Sequence, residues 1–104
     1  AASFDLIVLD PPSLARRELD RARATSAYRS LVGDAVRLLA TGGILVASSC
    51  SAHVTAEEFF EAVRDSTGRT CRRYREIATT GQPADHPASF PEARYLKAIY
   101  LELE

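Results

Sequence analysis

The apolar positions of this 104-residue chain change period along its length, and the changes mark out its elements. Leu6-Ile7-Val8-Leu9, introduced by Phe4, is apolar at successive positions, the pattern of a strand covered on both faces in a parallel sheet. It stops at Asp10-Pro11-Pro12-Ser13, because proline has no N–H to donate and fixes φ. A charged stretch from Ser13 to about Arg23 reads as loop, in part helical. From Ser26 to Leu39 the period becomes helical. Tyr28, Leu31, Val32, Ala35, Leu38 and Leu39 form one stripe, and Gly42-Gly43 predicts a left-handed stop. Ile44 to Ala47 is a second short strand, ending in Ser48-Ser49-Cys50-Ser51. Thr55 and Glu58 have the spacing of a capping box. They open a helix that runs to about Asp65, buries Phe59, Phe60 and Val63, and ends near Gly68. Arg72 to Ala78 alternates but carries Arg72, Arg73, Arg75 and Glu76, charges that mark an edge strand. Thr79 to Pro91 reads as a long loop, of a length that is usually functional. Tyr95 to Leu103 is apolar on both faces and is therefore a central strand.

The order is strand, helix, strand, helix, strand, strand. A helical crossover makes the first two strands parallel and right-handed. The last two strands lack a helix between them and are antiparallel. If the charged strand is an edge and the final strand is central, the final strand inserts between the second and the third. The fold class is α/β, a partial Rossmann-like sheet with a C-terminal antiparallel pair and flanking helices.

Composition narrows the function classes. The chain carries 13 Lys and Arg against 14 Asp and Glu, for a formal net charge of -1, which argues against a strongly basic nucleic-acid clamp. Hydrophobic residues make up 46%, enough to fold. All the basic residues but Lys97 are arginine, with clusters at Arg16, Arg17, Arg21 and Arg23 and at Arg69, Arg72, Arg73 and Arg75. Arginine suits phosphate, yet such clusters are more often solvated, salt-bridged surface. Two cysteines, Cys50 and Cys71, are too few for a disulfide framework and fit a reducing, cytoplasmic setting. No stretch is apolar for the ~18 residues of a membrane span. A domain rarely begins with its most buried strand, so the opening Ala1-Ala2-Ser3 reads as the start of a piece of a larger domain.

The chemistry-bearing residues gather at strand ends. Open α/β sheets bind ligands outside the carboxyl ends of their strands. Here the first such end carries the Asp10 carboxylate and the second the Cys50 thiol. Neighbouring parallel strands lie about 4.8 Å apart, so the two groups can flank one flat ring. Cys71, among arginines before an edge strand, reads as incidental. His53 and His86 with the two cysteines lack recognisable zinc spacing, so no metal site is expected. Lys97 interrupts a buried strand and requires a partner there.

At this point the residues resemble a known family. A parallel sheet ending in an antiparallel hairpin with the last strand inserted is similar to the C-terminal half of class I S-adenosylmethionine-dependent methyltransferases. Phe4-Asp5-Leu6-Ile7-Val8-Leu9-Asp10-Pro11-Pro12-Ser13 resembles the strand-four motif of bacterial RNA methyltransferases. Gly42-Gly43-Ile44-Leu45-Val46-Ala47-Ser48-Ser49-Cys50-Ser51 resembles the strand-five motif of the RNA 5-methylcytosine enzymes. Asp85-His86-Pro87, Phe90-Pro91-Glu92 and Tyr95-Leu96-Lys97 are similar to the tail of the large-subunit ribosomal RNA methyltransferase I group. Residues 1–104 would then be strands four to seven of the fold, without the cofactor-binding half. Two departures stand out. Leu14 stands where that group commonly has Phe, and the glycine-rich loop and acidic residue that grip the cofactor are absent from these residues.

The resemblance implies S-adenosyl-L-methionine as cofactor and RNA, ribosomal in that group, as substrate, with methylation at carbon 5 of a cytosine. It implies Cys50 as nucleophile and Asp10 as the group that orients the base and borders the cofactor. Pro11, Pro12, Ser13, Ser51, His86 and Lys97 would be substrate contacts. Two other readings are carried with it. One is methylation of an exocyclic amine, for which the aromatic residue that usually follows the two prolines is missing. The other is a non-catalytic module that docks to RNA or a partner through its arginines. An apolar first strand at a sheet edge also predicts self-association by strand pairing through residues 4–9.

Overall fold

Four strands and two helices follow from this pattern in the computed structural model, which describes residues 3–11, 21–51, 54–81 and 96–104. They are β1 (Phe4–Leu9), α1 (Arg21–Leu38), β2 (Leu39–Ser49), α2 (Ala56–Arg69), β3 (Tyr74–Gly81) and β4 (Lys97–Leu103). The sheet order is β1-β2-β4-β3. β1 and β2 are parallel, and β4 is antiparallel to both β2 and β3. The last strand therefore inserts between the second and third, as the charge pattern of β3 and the apolar pattern of β4 require.

The cross-strand register sorts the two faces. Leu45 lies opposite Leu101, Ala47 opposite Ile99, and Ser49 opposite Lys97. All six are buried and face the helices. Tyr28, Val32 and Val36 of α1, with Phe59 and Val63 of α2, close the core over them. Tyr28 and Phe59 meet edge to face, with ring centroids 5.1 Å apart and planes at 80°, an arrangement that adds to simple area burial. The opposite layer holds Val46 against Tyr100 and Ile44 against Glu102, all half-buried. Phe4, Leu6 and Val8 of β1 are respectively 48%, 58% and 59% exposed. β1 is thus the open edge of this sheet and not a covered strand.

Several boundaries differ from the sequence expectation for identifiable reasons. α1 is already helical at Arg21, before Ser26, and runs directly into β2 without a loop. The stripe of α1 is rotated: Ala24 and Val36 are buried, while Leu31 and Leu38 are 40% and 45% exposed. Gly42 does take positive φ, at 82°. It does so inside an irregular stretch of β2, where the register moves from Phe4 opposite Leu39 to Leu6 opposite Ile44, and not as a helix stop. A Cβ on the adjacent Gly43 would lie 2.8 Å from the Ala40 carbonyl oxygen and 3.2 Å from that of Phe4, so only glycine lets β1 approach here.

The second helix starts as the capping spacing predicts. Thr55 Oγ1 accepts from the Glu58 N–H at 3.1 Å and donates to the Glu58 carboxylate at 3.1 Å. Its end is different: the left-handed residue is Cys71, at φ 63°, and not Gly68. The second arginine cluster is largely structural. Arg72 Nη1 donates to the carbonyls of Val36 and Leu39 at 2.6 Å each, capping the C-terminus of α1, where carbonyls lack intrahelical partners. Arg69 pairs with Asp65 and Arg75 with Glu102. Arg64 forks onto Glu76 at 2.7 and 3.2 Å, tying α2 to β3, and this hydrogen bonding holds the Glu76 carboxyl below the ordinary range.

Candidate active site

The carboxyl ends of β1 and β2 lie side by side because the two strands are parallel and in register, Leu9 opposite Ala47. Asp10 and Pro11 leave β1 at this end, and Ser48, Ser49, Cys50 and Ser51 leave β2. Side chains alternate along a strand. Ser48 accordingly falls with Val46 on the face away from the helices, as Asp10 does with Val8. Ser48 Oγ is within 2.9 Å of Asp10 Oδ1 and 3.3 Å of the Leu9 carbonyl oxygen, positioned to donate to both. The Asp10 carboxylate is exposed, and Cys50, two positions beyond Ser48, is half-buried with a free thiol.

Behind this opening the polar groups are buried and partnered. The Tyr28 hydroxyl and Ser49 Oγ share a hydrogen bond of 2.9 Å. Ser49 Oγ also accepts from the Ser51 N–H at 3.3 Å. Lys97, 5% exposed, donates from Nζ to the Ser51 carbonyl at 2.9 Å. Both main-chain polar groups of Ser51 are therefore held from the helix side of the sheet. Burial pushes the Lys97 ammonium toward the neutral form, while negative charge at Cys50 and at Glu58 opposes that shift.

Of the residues singled out from the sequence, Asp10, Pro11, Cys50, Ser51 and Lys97 come to this one end of the sheet, whereas Pro12, Ser13 and His86, like His53, lie outside the described residues. Ser48, Ser49 and Tyr28 were not anticipated. Period-two alternation back from Cys50 was a signal for Ser48. Nothing in the sequence links Tyr28 to Ser49.

Sheet order, one covering helical layer and a site at the carboxyl ends of the parallel strands define part of a Rossmann-like methyltransferase fold. Solved structures agree. One described as a methyltransferase complexed with SAH superposes with a TM-score of 0.72 at 22% identity, covering 97% of this chain and 26% of that one. A SAM-dependent methyltransferase from Streptococcus mutans gives 0.71 at 19% identity, with 97% and 26% covered. No family model matches the chain. Among curated proteins, the ribosomal RNA large subunit methyltransferase of Deinococcus radiodurans is 52% identical over 103 residues, 99% of this chain and 25% of that protein. The ribosomal RNA large subunit methyltransferase I of Cronobacter sakazakii is 38% identical over 99 residues, 93% of this chain and 25% of that protein. The resemblance to the large-subunit ribosomal RNA methyltransferase I group thus holds over nearly the whole chain, which spans about a quarter of the length of these relatives.

Proposed function

We propose that this chain supplies the substrate-facing part of an S-adenosylmethionine-dependent methyltransferase that modifies carbon 5 of a cytosine in ribosomal RNA, in the reducing cytoplasm. The observation that carries the reading is the Ser48–Asp10 hydrogen bond, which ties the two strand tips together with Cys50 two positions along. The whole reaction belongs to a larger catalytic domain, of which residues 1–104 form the C-terminal half. The exposed Asp10 carboxylate can border a bound cofactor, while the glycine-rich loop that would grip it is absent from these residues.

Carbon 5 of a pyrimidine is a weak nucleophile. The Cys50 thiolate adds to carbon 6, and carbon 5 becomes enamine-like, which is covalent catalysis. S-adenosylmethionine, when bound, would supply the methyl group that carbon 5 takes, its methyl–sulfur bond breaking and S-adenosylhomocysteine leaving. Asp10 hydrogen-bonds nitrogen 3 and the exocyclic amine, orients the ring and stabilises charge that builds during addition. A base then takes the carbon-5 proton, the carbon–sulfur bond to Cys50 breaks, and the thiolate is regenerated. By resemblance, Pro11, Pro12 and Ser13 would wall the ring slot, and Ser51 and His86 would be further substrate contacts. A cytosine in a helix must first be extruded, so single-stranded or loop RNA is the easier target.

The reading is tested with RNA carrying 5-fluorocytidine. Fluorine replaces the proton that the base must remove, so the adduct cannot collapse. The expected result is a cofactor-dependent RNA–protein crosslink that maps to Cys50 by mass spectrometry. No crosslink, or one on another residue, removes the covalent mechanism.

In residues 1–104 taken alone, the exposed apolar edge of β1 also supports self-association, since an unpaired edge is a template for another strand. A second copy pairing through residues 4–9 is expected to raise the mass seen by light scattering as concentration increases. A strict monomer at high concentration would exclude it.

A further inference from the structure

Lys97 stands out as a charge placed where a hydrophobic residue would cost less. It sits at the first position of the central strand, followed by the buried Ala98 and Ile99. Taking an ammonium out of water costs several kcal/mol unless partners compensate. The positions paired with it carry no charge: Ser49 on β2 and Gly81 on β3. Among the groups that act on it are Glu58 from the first turn of α2, Cys50 just past β2, and the Ser51 carbonyl at 2.9 Å. The only lysine of the chain is thus directed into the turn that bears the thiol.

We propose that Lys97 is a positioning residue for Cys50: its buried side chain anchors the turn after β2 through the Ser51 carbonyl and so sets the direction in which the thiol is presented. The inference rests on Cys50 being the nucleophile and adds what prepares it. The Ser51 main chain is held by Lys97 at its carbonyl and by Ser49 Oγ at its N–H, so the preceding residue, Cys50, is set in one orientation. Negative charge at Cys50 and at Glu58 opposes the burial that pushes the ammonium toward its neutral form. Lys97 on this account does not touch RNA.

The test uses the full-length protein that carries this chain. Alkylation of Cys50 by iodoacetamide is followed at its own peptide by mass spectrometry across neutral and alkaline pH. Lys97→Met fills similar volume without charge, and Lys97→Gln retains a donor for the Ser51 carbonyl without charge. Lys97→Met, which loses the anchor, is expected to slow Cys50 alkylation roughly tenfold at every pH, while Lys97→Gln, which keeps a donor, is expected to lose clearly less. In methyl transfer the loss is expected in kcat, with KM for RNA nearly unchanged. If Lys97→Met does not fold, Lys97→Leu carries the same readout. A folded Lys97→Met or Lys97→Leu variant whose alkylation coincides with that of the parent overturns the proposal. So does a rise in KM alone, which would return Lys97 to a substrate contact. Alkylation reads the positioning of Cys50 by Lys97 without any methyl transfer. Activity that survives Cys50→Ala would therefore remove the nucleophile reading, while the alkylation rate decided the positioning separately.

Discussion

Cys50→Ala is expected to lower methyl transfer to RNA on the order of a thousandfold or more, because it removes the group that forms the covalent bond and leaves only binding and orientation. The side chain is half-buried at the end of β2 and lies outside the helix-facing core, so its truncation is expected to leave the fold nearly as stable as before. The loss should therefore appear in turnover, with RNA and cofactor binding retained. Cys50→Ser is expected to be similarly inactive, since an alkoxide is not available at neutral pH as a thiolate is. Cys71→Ser is the internal control. That thiol is exposed in the turn after α2, remote in the chain from both parallel strand tips, and its replacement is expected to leave turnover unchanged. Nucleoside analysis of the product by mass spectrometry measures all three. Full activity in Cys50→Ser would point instead to transfer onto an exocyclic amine, a reaction that has no use for the thiol.

The topology was readable because two simple physical signals agreed. The charges of β3 are tolerable only at an edge, and the two-faced apolar pattern of β4 is stable only between neighbours. Together they leave one order, β1-β2-β4-β3. The convergence of Asp10 and Cys50 on one end was also readable, because a parallel pair brings the ends of both strands together. What could not be read was which side chain reaches which distant backbone group. Arg72 looked like part of a basic patch, and its guanidinium instead serves carbonyls at the end of α1, including that of Val36, 36 positions away. Lys97 likewise donates to a main-chain oxygen, 46 positions away. Main-chain acceptors leave no mark in residue identity, so pattern alone cannot find them.

Local signals failed where two of them competed. A glycine after a helix usually takes the left-handed position. α2 nevertheless ends with Cys71 in that conformation, three residues past Gly68, because Thr70 and Cys71 complete the last turn with hydrogen bonds to the carbonyls of Thr67 and Gly68. The rotation of α1 has a comparable cause. Tyr28 must meet both Phe59 and Ser49, and this fixes the buried face so that Val36 turns inward and Leu31 and Leu38 turn out.

Phe59→Ala is expected to cost about 3–5 kcal/mol, the largest stability effect of any single truncation among the described residues, because it empties a fully enclosed aromatic site. Phe59 is 1% exposed and sits where α1, α2 and the sheet meet. It packs against the edge of Tyr28 and, at 6.0 Å between centroids, against Phe60. The cavity cannot collapse easily, since α2 is pinned on both sides. Arg64 holds it to Glu76 of β3, and Ser66 Oγ donates to the Arg29 carbonyl of α1 at 2.6 Å. A loss of this size is a large part of the roughly 5–15 kcal/mol that keeps a domain folded. It should appear as a lower urea midpoint with the slope of the transition little changed. The consequence also reaches the site. Tyr28 loses the ring that sets its orientation, so its hydrogen bond to Ser49, and with it the support under Ser51, should loosen. Phe59→Leu, which keeps most of the apolar contact, is expected to lose clearly less stability. Equal midpoints for Phe59→Ala and the parent would show that this junction is not the keystone of the core, and would separate the helical layer from the strand-tip site it is argued to support.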